Sequence, residues 1–513
     1  MLKRIQHNYK KTEMFHMRTF LTIILILLSA LANATNDTIH IATRINDGRE
    51  KYGDFISYEK PSVKVLKRKY SLTSVSVGTT LRNESRAVMP QFGKGEISGN
   101  FNANTFITNK KGATWGNASY TNGKIVDVQF NETSDYAMLY PYTLGDSVGG
   151  DLRFQNYRFG GGVNTALNSN WKLGIEAQYR ADLAYRQIDP RPKNLVTDLD
   201  ATIGASRRIA GKYLIGLDLN AGKYKQTNSL RFFSELGVPN VVHFTGLGTQ
   251  YYRFQGSNYS TYYKGYRVGG SLGIVPDGSG WYGFIAYNYF AFTKIISSLN
   301  ELPMARAGEH QTSGEIAYLN TEPTAWGIKL NADYCRKSGT ENIFGDAADN
   351  VYPLIMSLEQ FSAENLHLQL SALYGQTAEI HDWNISAKVC YLSHSEKYNS
   401  PAQHLILAHT GGKVGVQYGY KGKSLHIGIS TDLGFYASTS HDLLLYENTI
   451  WQNPIRQTYE ILSGHFLQSD TSFRISYSFG NDIAIFLDAR YSYTKFFGNT
   501  NQHITSISIG VNL

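Results

Sequence analysis

Residues 171–186 read WKLGIEAQYRADLAYR. Trp171, Leu173, Ile175, Ala177, Tyr179, Ala181, Leu183 and Tyr185 take the odd positions. Lys172, Gly174, Glu176, Gln178, Arg180, Asp182, Ala184 and Arg186 take the even ones. Alternation sustained this far puts apolar and ionic side chains on opposite faces of an extended strand, which a helical period cannot do. At about 3.3 Å per residue the strand runs roughly 50 Å, about twice the usual length in globular sheets. The same pattern returns in Tyr213–Gly222, Trp326–Arg336, Trp383–Tyr391 and Ile483–Thr494. A soluble sandwich also alternates, but its short strands are broken by turns about every 8–12 residues. Long strands, apolar on one face and ionic on the other, fit an all-β fold: a single antiparallel transmembrane β-barrel around a polar lumen. Hydrocarbon requires the barrel to close, because an open edge would leave backbone groups unpaired. An extracellular β-solenoid is the competing reading, and no fixed repeat period supports it.

Composition agrees. The 513 residues exceed one ordinary soluble domain, yet only 18% are charged, against about 25% in soluble chains. Tyrosine (36) and glycine (48) are abundant and proline (12) is scarce. Only one apolar run approaches helical-span length, LTIILILLSAL at 21–31, and it is too short to cross a bilayer. Arg18 precedes it and Ala32-Asn33-Ala34 closes it with a small-x-small cleavage pattern, so residues 1–34 read as a secretory signal peptide. Met17 would be a normal start for such a signal, which makes 1–16 an over-called start. Removal of 1–34 takes away five basic residues and one acidic residue, leaving a net charge of +4. That is too mild to imply nucleic acid. Cys335 and Cys390 are too few for a disulfide framework.

Turn chemistry supplies the topology. Short turns fall at 168–170, 210–212, 276–280, 320–323, 377–382, 421–423 and 480–482. Long connections alternate with them at about 187–194, 223–260, 297–310, 337–364, 393–411 and 437–465. Short periplasmic turns and long extracellular loops are the outer-membrane arrangement. Trp171, Trp281, Trp326 and Trp383 follow short turns, and Tyr334 and Tyr391 lie eight residues beyond the tryptophans of their strands. That spacing is near the apolar band of about 25 Å between aromatic girdles. The amphipathic run His503–Leu513 resembles the final strand that barrel-assembly machinery reads, with Leu513 where Phe is familiar. Counting back gives about 18 strands, range 14–20, beginning near Glu96. Asn122-Gly123 is expected to turn a hairpin between 113–121 and 124–131. Tyr70–Leu81 is left over as an extra strand or inward plug. The expected organisation is a 35–69 segment, either a periplasmic tail or a partial plug, and a barrel over 70–513. About 35 residues before Tyr70 are too few for a full plug domain.

The segments NETSDY (131–136) with YPY (140–142), DSVGGD (146–151), DPRPKNL (189–195) and NAGKYKQ (220–226) resemble an uncharacterised family of Gram-negative outer-membrane barrel proteins. The resemblance extends over most of the mature chain. It implies location and fold, and carries neither substrate nor catalytic residues.

Of the sequence motifs for enzymatic chemistry, H-E-x-x-H and the P-loop are missing. His409 and the His441-Asp442 pair are the nearest to a barrel hydrolase site, and they read as solvated loop residues. Asp346, Asp349 and Asn350 lack the rest of a calcium loop. No catalytic role, cofactor or metal is assigned, and a non-enzyme is expected. The inward register carries Lys172, Glu176, Arg180, Asp182, Arg186, Asp198, Asp200, Asp218, Lys329, Asp333, Lys388, Asp488 and Arg490, with Asp127, Asp432 and Arg474 beside them. Both signs occur, so the set reads as the lining of a weakly selective lumen or as a salt-bridge ladder that closes it. The loop Asn131–Asp151, with Asp135, Tyr136, Tyr140, Tyr142, Asp146 and Asp151, is long enough to fold inward as a constriction. The expected partners are outer-membrane lipid, the assembly machinery and an uptake or surface complex. The expected function is a channel or accessory component for solute uptake across the Gram-negative outer membrane. The alternative is a non-transporting barrel that anchors a surface or secretion complex.

Overall fold

The computed structural model describes residues 40–45, 55, 57–234, 240–254, 260–321, 324–349 and 351–513. The export signal, 1–34, lies outside the described residues. Eighteen antiparallel strands form one sheet. They are Leu72–Glu84 (β1), Gly95–Asn109 (β2), Gly112–Val128 (β3), Gly150–Ala166 (β4), Trp171–Tyr185 (β5), Lys193–Ile209 (β6), Tyr213–Ser229 (β7), Thr261–Pro276 (β8) and Gly280–Ile296 (β9). Then come Leu302–Asn320 (β10), Thr324–Phe344 (β11), Leu354–Thr377 (β12), His381–Tyr398 (β13), Gln403–Lys421 (β14), Leu425–Leu444 (β15), Phe466–Phe479 (β16), Ile483–Phe496 (β17) and Thr500–Asn512 (β18). Each strand pairs with its neighbour among these eighteen, and β1 pairs with β18 as well, Val77 lying opposite both Phe101 and Ile509. The barrel is therefore closed, and no sheet edge faces lipid.

The period-two register holds. Ile175, Ile203, Leu219, Ile328 and Val389 are exposed on the outer face, while Glu176, Asp218, Lys329 and Asn384 on adjacent positions are buried or half-buried. Trp171, Trp281, Trp326 and Trp383 also point outward. Tyr318 lies between two of them, edge-on to Trp281 at 5.3 Å and tilted against Trp326 at 4.9 Å, within an aromatic girdle.

Three expectations about the strands are corrected. Tyr70–Leu81 is not left over: its strand, β1, closes the barrel. Asn122-Gly123 is not a turn, because β3 runs unbroken through it, with Gly123 paired to Ser98 on one side and Phe154 on the other. Pairing on both edges overrides the local turn preference of Asn-Gly. One strand was missed and another split, so the count of eighteen survives two opposite errors. The connections expected at 297–310, 337–364 and 393–411 shrink to 297–301, 345–353 and 399–402, because their strands continue. The longest, β12, has 24 residues. At about 3.3 Å per residue and a tilt near 40° it rises roughly 60 Å, far beyond an apolar band of about 25 Å. The outer ends of β11–β15 thus stand clear of the bilayer.

Candidate functional site

The inner wall of β5–β8 carries an ionic ladder. Arg180 reaches Asp182 at 2.8 Å and Asp198 at 3.4 Å, and Arg267 bridges Asp198 (3.4 Å) and Asp200. Alternation places all these side chains on the lumen face, where charge is tolerated.

The loop from 129 to 149 folds into this lumen. Its Asp135 forms a two-pronged pair with Arg180, at 2.9 and 2.6 Å, and accepts from the Tyr224 hydroxyl at 2.8 Å. Arg186 holds Asp146 at 2.7 Å and also Glu132, all three side chains being essentially buried. On the opposite wall the Tyr140 hydroxyl donates to Glu396 at 2.6 Å. The Lys337 ammonium caps the carbonyls of Met138 and Tyr140, at 3.2 and 3.3 Å, at the end of a single helical turn, Tyr136–Leu139. Lys294, fully buried, donates to the Thr143 carbonyl at 2.8 Å. The loop therefore crosses from β5 to β13. Burial, with the Glu396 charge behind it, holds the Tyr136 and Tyr140 phenols well above their usual range, and burial does the same for Tyr142. All three remain neutral phenols.

Two further loops brace it. The segment Val242–Gly246 pairs with Leu144–Gly145 and with Thr249–Gln250 in a small three-stranded sheet. The helix Asn453–Leu462 packs Ile455 and Leu462 beside Leu247, Phe361 and Tyr140, and Trp451 sits edge-on to Phe130 and Phe244. Sequence reasoning did not find these two insertions; the composition of 223–260 and 437–465 is that of any surface loop.

The segment 57–71 occupies the same side of the lumen further down. The Ser62 amide and hydroxyl and the Tyr58 hydroxyl all donate to Asp218, at 3.0, 2.5 and 2.8 Å. Lys64 meets Glu176 at 2.8 Å, and the Trp115 indole donates to that carboxylate at 2.8 Å. Asn164 donates to the carbonyls of Pro61 and Ser62, and Ser206 to that of Ser62. Tyr58 and Phe55 pack with Leu214, Val275 and Tyr282. Of the inward set, Asp218 and Glu176 thus hold chain rather than line open space.

The far side, from β11 to β18, is different. Three recesses follow one another along the inward face of β13. Asp382 borders a recess of about 420 Å³. Asn384, Ser386 and Lys388 border one of about 600 Å³, with Lys329, Asp432, Asp470 and Arg490. His394 and Glu396 border one of about 660 Å³, roofed by Tyr136, Tyr140 and Phe92. The lower two share Gln417, Ser430, Ser472 and Arg490. Asp488 pairs with Arg474 at 3.1 Å beside the first of them. Asp333 faces the outer recess, and Lys172 lies near the inner end of β5.

Other expected residues are peripheral. Asp151 pairs with Lys124 at 2.8 Å and Asp127 with Lys94 at 3.4 Å, both on partly exposed side chains. Asp346 pairs with Arg253, His441 lies 2.9 Å from the Tyr459 hydroxyl, and His404 pairs with Asp442. Contrary to its reading as a solvated loop residue, His409 is buried on β14 and borders the outer recess. Among the described residues no cluster of three or more His, Cys, Asp or Glu is placed to hold a metal ion.

A closed eighteen-strand barrel with an apolar, aromatic-girdled outer face and an ionic interior defines an outer-membrane β-barrel of the Gram-negative type. The chain belongs to a family of unknown function (DUF6850), whose model matches residues 62–513. No curated protein matches it in sequence. Among solved structures, the ferric enterobactin receptor PfeA from Pseudomonas aeruginosa is similar at 7% identity and a TM-score of 0.36, over 86% of this chain and 80% of that one. The ferric preacinetobactin receptor BauA from Acinetobacter baumannii gives 8% and 0.38, over 86% and 79%. The FrpB iron transporter from Neisseria meningitidis gives 7% and 0.41, over 86% and 81%. At that distance the likeness says nothing of what this chain handles.

Proposed function

We propose that this barrel takes up a solute along the β11–β18 side of its lumen, with the 131–151 loop as the outer constriction and the 57–71 segment as a partial plug. The observation that carries the reading is the succession of three recesses along one strand, Asp382 to Glu396, between the inserted segments and the barrel wall. A wall retained only for stability would gain most from a fully packed interior. Here polar side chains of both signs border space instead, as a wet path requires. Deleting Tyr136–Ser147 tests it in planar bilayers: single-channel conductance should rise and larger solutes should pass. Unchanged conductance in a normally folded deletion would remove the loop from this role.

One observation favours a second reading, a barrel that anchors a surface complex. Val351, Leu354, Ile355 and Met356 are exposed together at the tip of the β11–β12 hairpin, above the bilayer. Consecutive exposed apolar residues in water mark contact surfaces. Absence of conductance in both the intact and the deleted protein would favour this reading.

A further inference from the structure

The outer recess has a chemistry of its own. Its volume, about 660 Å³, lies within the range of sites that enclose a small organic molecule. Most of its lining is apolar, contributed by Leu405, Leu407 and Phe466 from the wall and by Phe92 and Leu462 from the loops above. Its charged side chains are Asp333 and Glu396; neither Lys nor Arg borders it. The two carboxylates differ. Glu396 is engaged on both oxygens, by His394 at 2.9 Å and by the Tyr140 hydroxyl at 2.6 Å. Asp333 is held loosely, with His367 at 3.8 Å and the Asn331 amide at 3.4 Å, and 43% of its side chain is exposed. Above it Tyr136 stands 5.6 Å edge-on from Phe92 and 5.7 Å from Tyr140, so three aromatic rings cluster at the recess.

We propose that this recess binds an organic cation with a ring-bearing apolar body, a substrate class that rests on the uptake reading. The aromatic roof attracts positive charge through its ring quadrupoles and the apolar wall takes the body. Asp333 supplies the counter-charge that its own neighbours leave available. The same site repels an anion, which would be desolvated beside two carboxylates without a strong base to receive it. The imidazoles of His367, His394 and His409 do not reverse this. His394 is already matched by Glu396 at 2.9 Å, His367 lies beside Asp333 at 3.8 Å, and His409 turns its Nε2 to the Gly464 carbonyl at 3.1 Å.

A matched pair of small probes decides the matter. The full chain in lipid nanodiscs is titrated by calorimetry with benzyltrimethylammonium and with benzylsulfonate, empty nanodiscs serving as the blank. The cation should bind at least tenfold tighter than the sulfonate. Asp333→Asn should weaken cation binding about tenfold, Asp333→Glu should retain it, and Leu407→Trp, which fills the recess, should abolish it. A heat-dependent shift in gel mobility verifies that each variant is a folded barrel. Equal binding of the sulfonate, an unaffected Asp333→Asn variant, or saturable binding that survives Leu407→Trp would each overturn the assignment. Binding needs no open path. A protein that binds without conducting keeps the site and loses the uptake reading; one that conducts without binding does the reverse.

Discussion

A single residue tests the register most sharply. Ile175 is 55% exposed on the outer face, within the span bounded by Trp171 and Tyr179. Ile175→Arg should cost about 2–4 kcal/mol of barrel stability, since lipid offers the charge nothing. Gln178→Arg, pointing into the wet lumen, should cost far less; urea titration of folded barrel in lipid vesicles measures both, and equal losses would invert the assigned faces. Arg186 tests the inserted loop. Its guanidinium is shared by Glu132 and Asp146, and Arg186→Gln leaves two carboxylates buried together. Breaking such a pair costs about 3–5 kcal/mol. The cost should fall on the loop rather than the barrel, so hydrogen exchange should accelerate across 131–146 while β5 and β6 stay protected. At this scale the sequence was informative wherever lipid enforces alternation. On β13 the outward residues Trp383, Ile385, Val389 and Tyr391 are apolar, but Ser393, Ser395 and Lys397 beyond them are polar. There the strand has left the bilayer and the alternating signal ends, although the register persists. His394 and Glu396 were overlooked for that reason.

At the scale of elements, strand identity was legible and insertion was only half so. The length and tyrosines of 131–151 pointed to an inward fold, but its partners are remote: Arg180, Tyr224, Lys337 and Glu396 are each at least 45 residues away in sequence. Ser62 and Asp218 are 156 residues apart. Local pattern cannot encode such pairs, because nothing in a short window distinguishes an aspartate that binds chain from one that faces water. The small sheet that braces the loop has a pH dependence of its own. Burial, with the Lys294 ammonium nearby, pushes His243 well below the usual imidazole range, so the folded cap keeps this ring neutral. Its contribution to stability is complete above the unfolded-state value of about 6.5 and is lost progressively as pH falls below that value. Limited proteolysis within 129–149 and 240–254 should therefore be faster at pH 5 than at pH 7.5. His243→Gln, which does not titrate, should flatten that dependence; an equally steep profile in the variant would assign the effect to another group.

For the whole molecule, an eighteen-strand barrel is wide enough for an aqueous channel unless its interior is filled. The fill is lopsided: inserted chain packs most heavily against β3–β11, and the three recesses lie along β11–β18. This asymmetry predicts which charges a permeating ion meets once the outer loop is removed. Lys388 and Arg490 border the middle recess, whereas Glu176 and Asp218 are engaged by the 57–71 segment. In the protein lacking Tyr136–Ser147, Lys388→Glu should shift the reversal potential in a potassium chloride gradient toward cation selectivity. Lys172→Glu, on β5 at the opposite side, should shift it much less, even though both lysines point inward. Electrostatics distinguishes them because fields weaken over about 8 Å at physiological salt, less than the width of such a barrel. Equal shifts from the two substitutions would mean that ions use the whole cross-section, and a larger shift from Lys172→Glu would move the path to the β5 side.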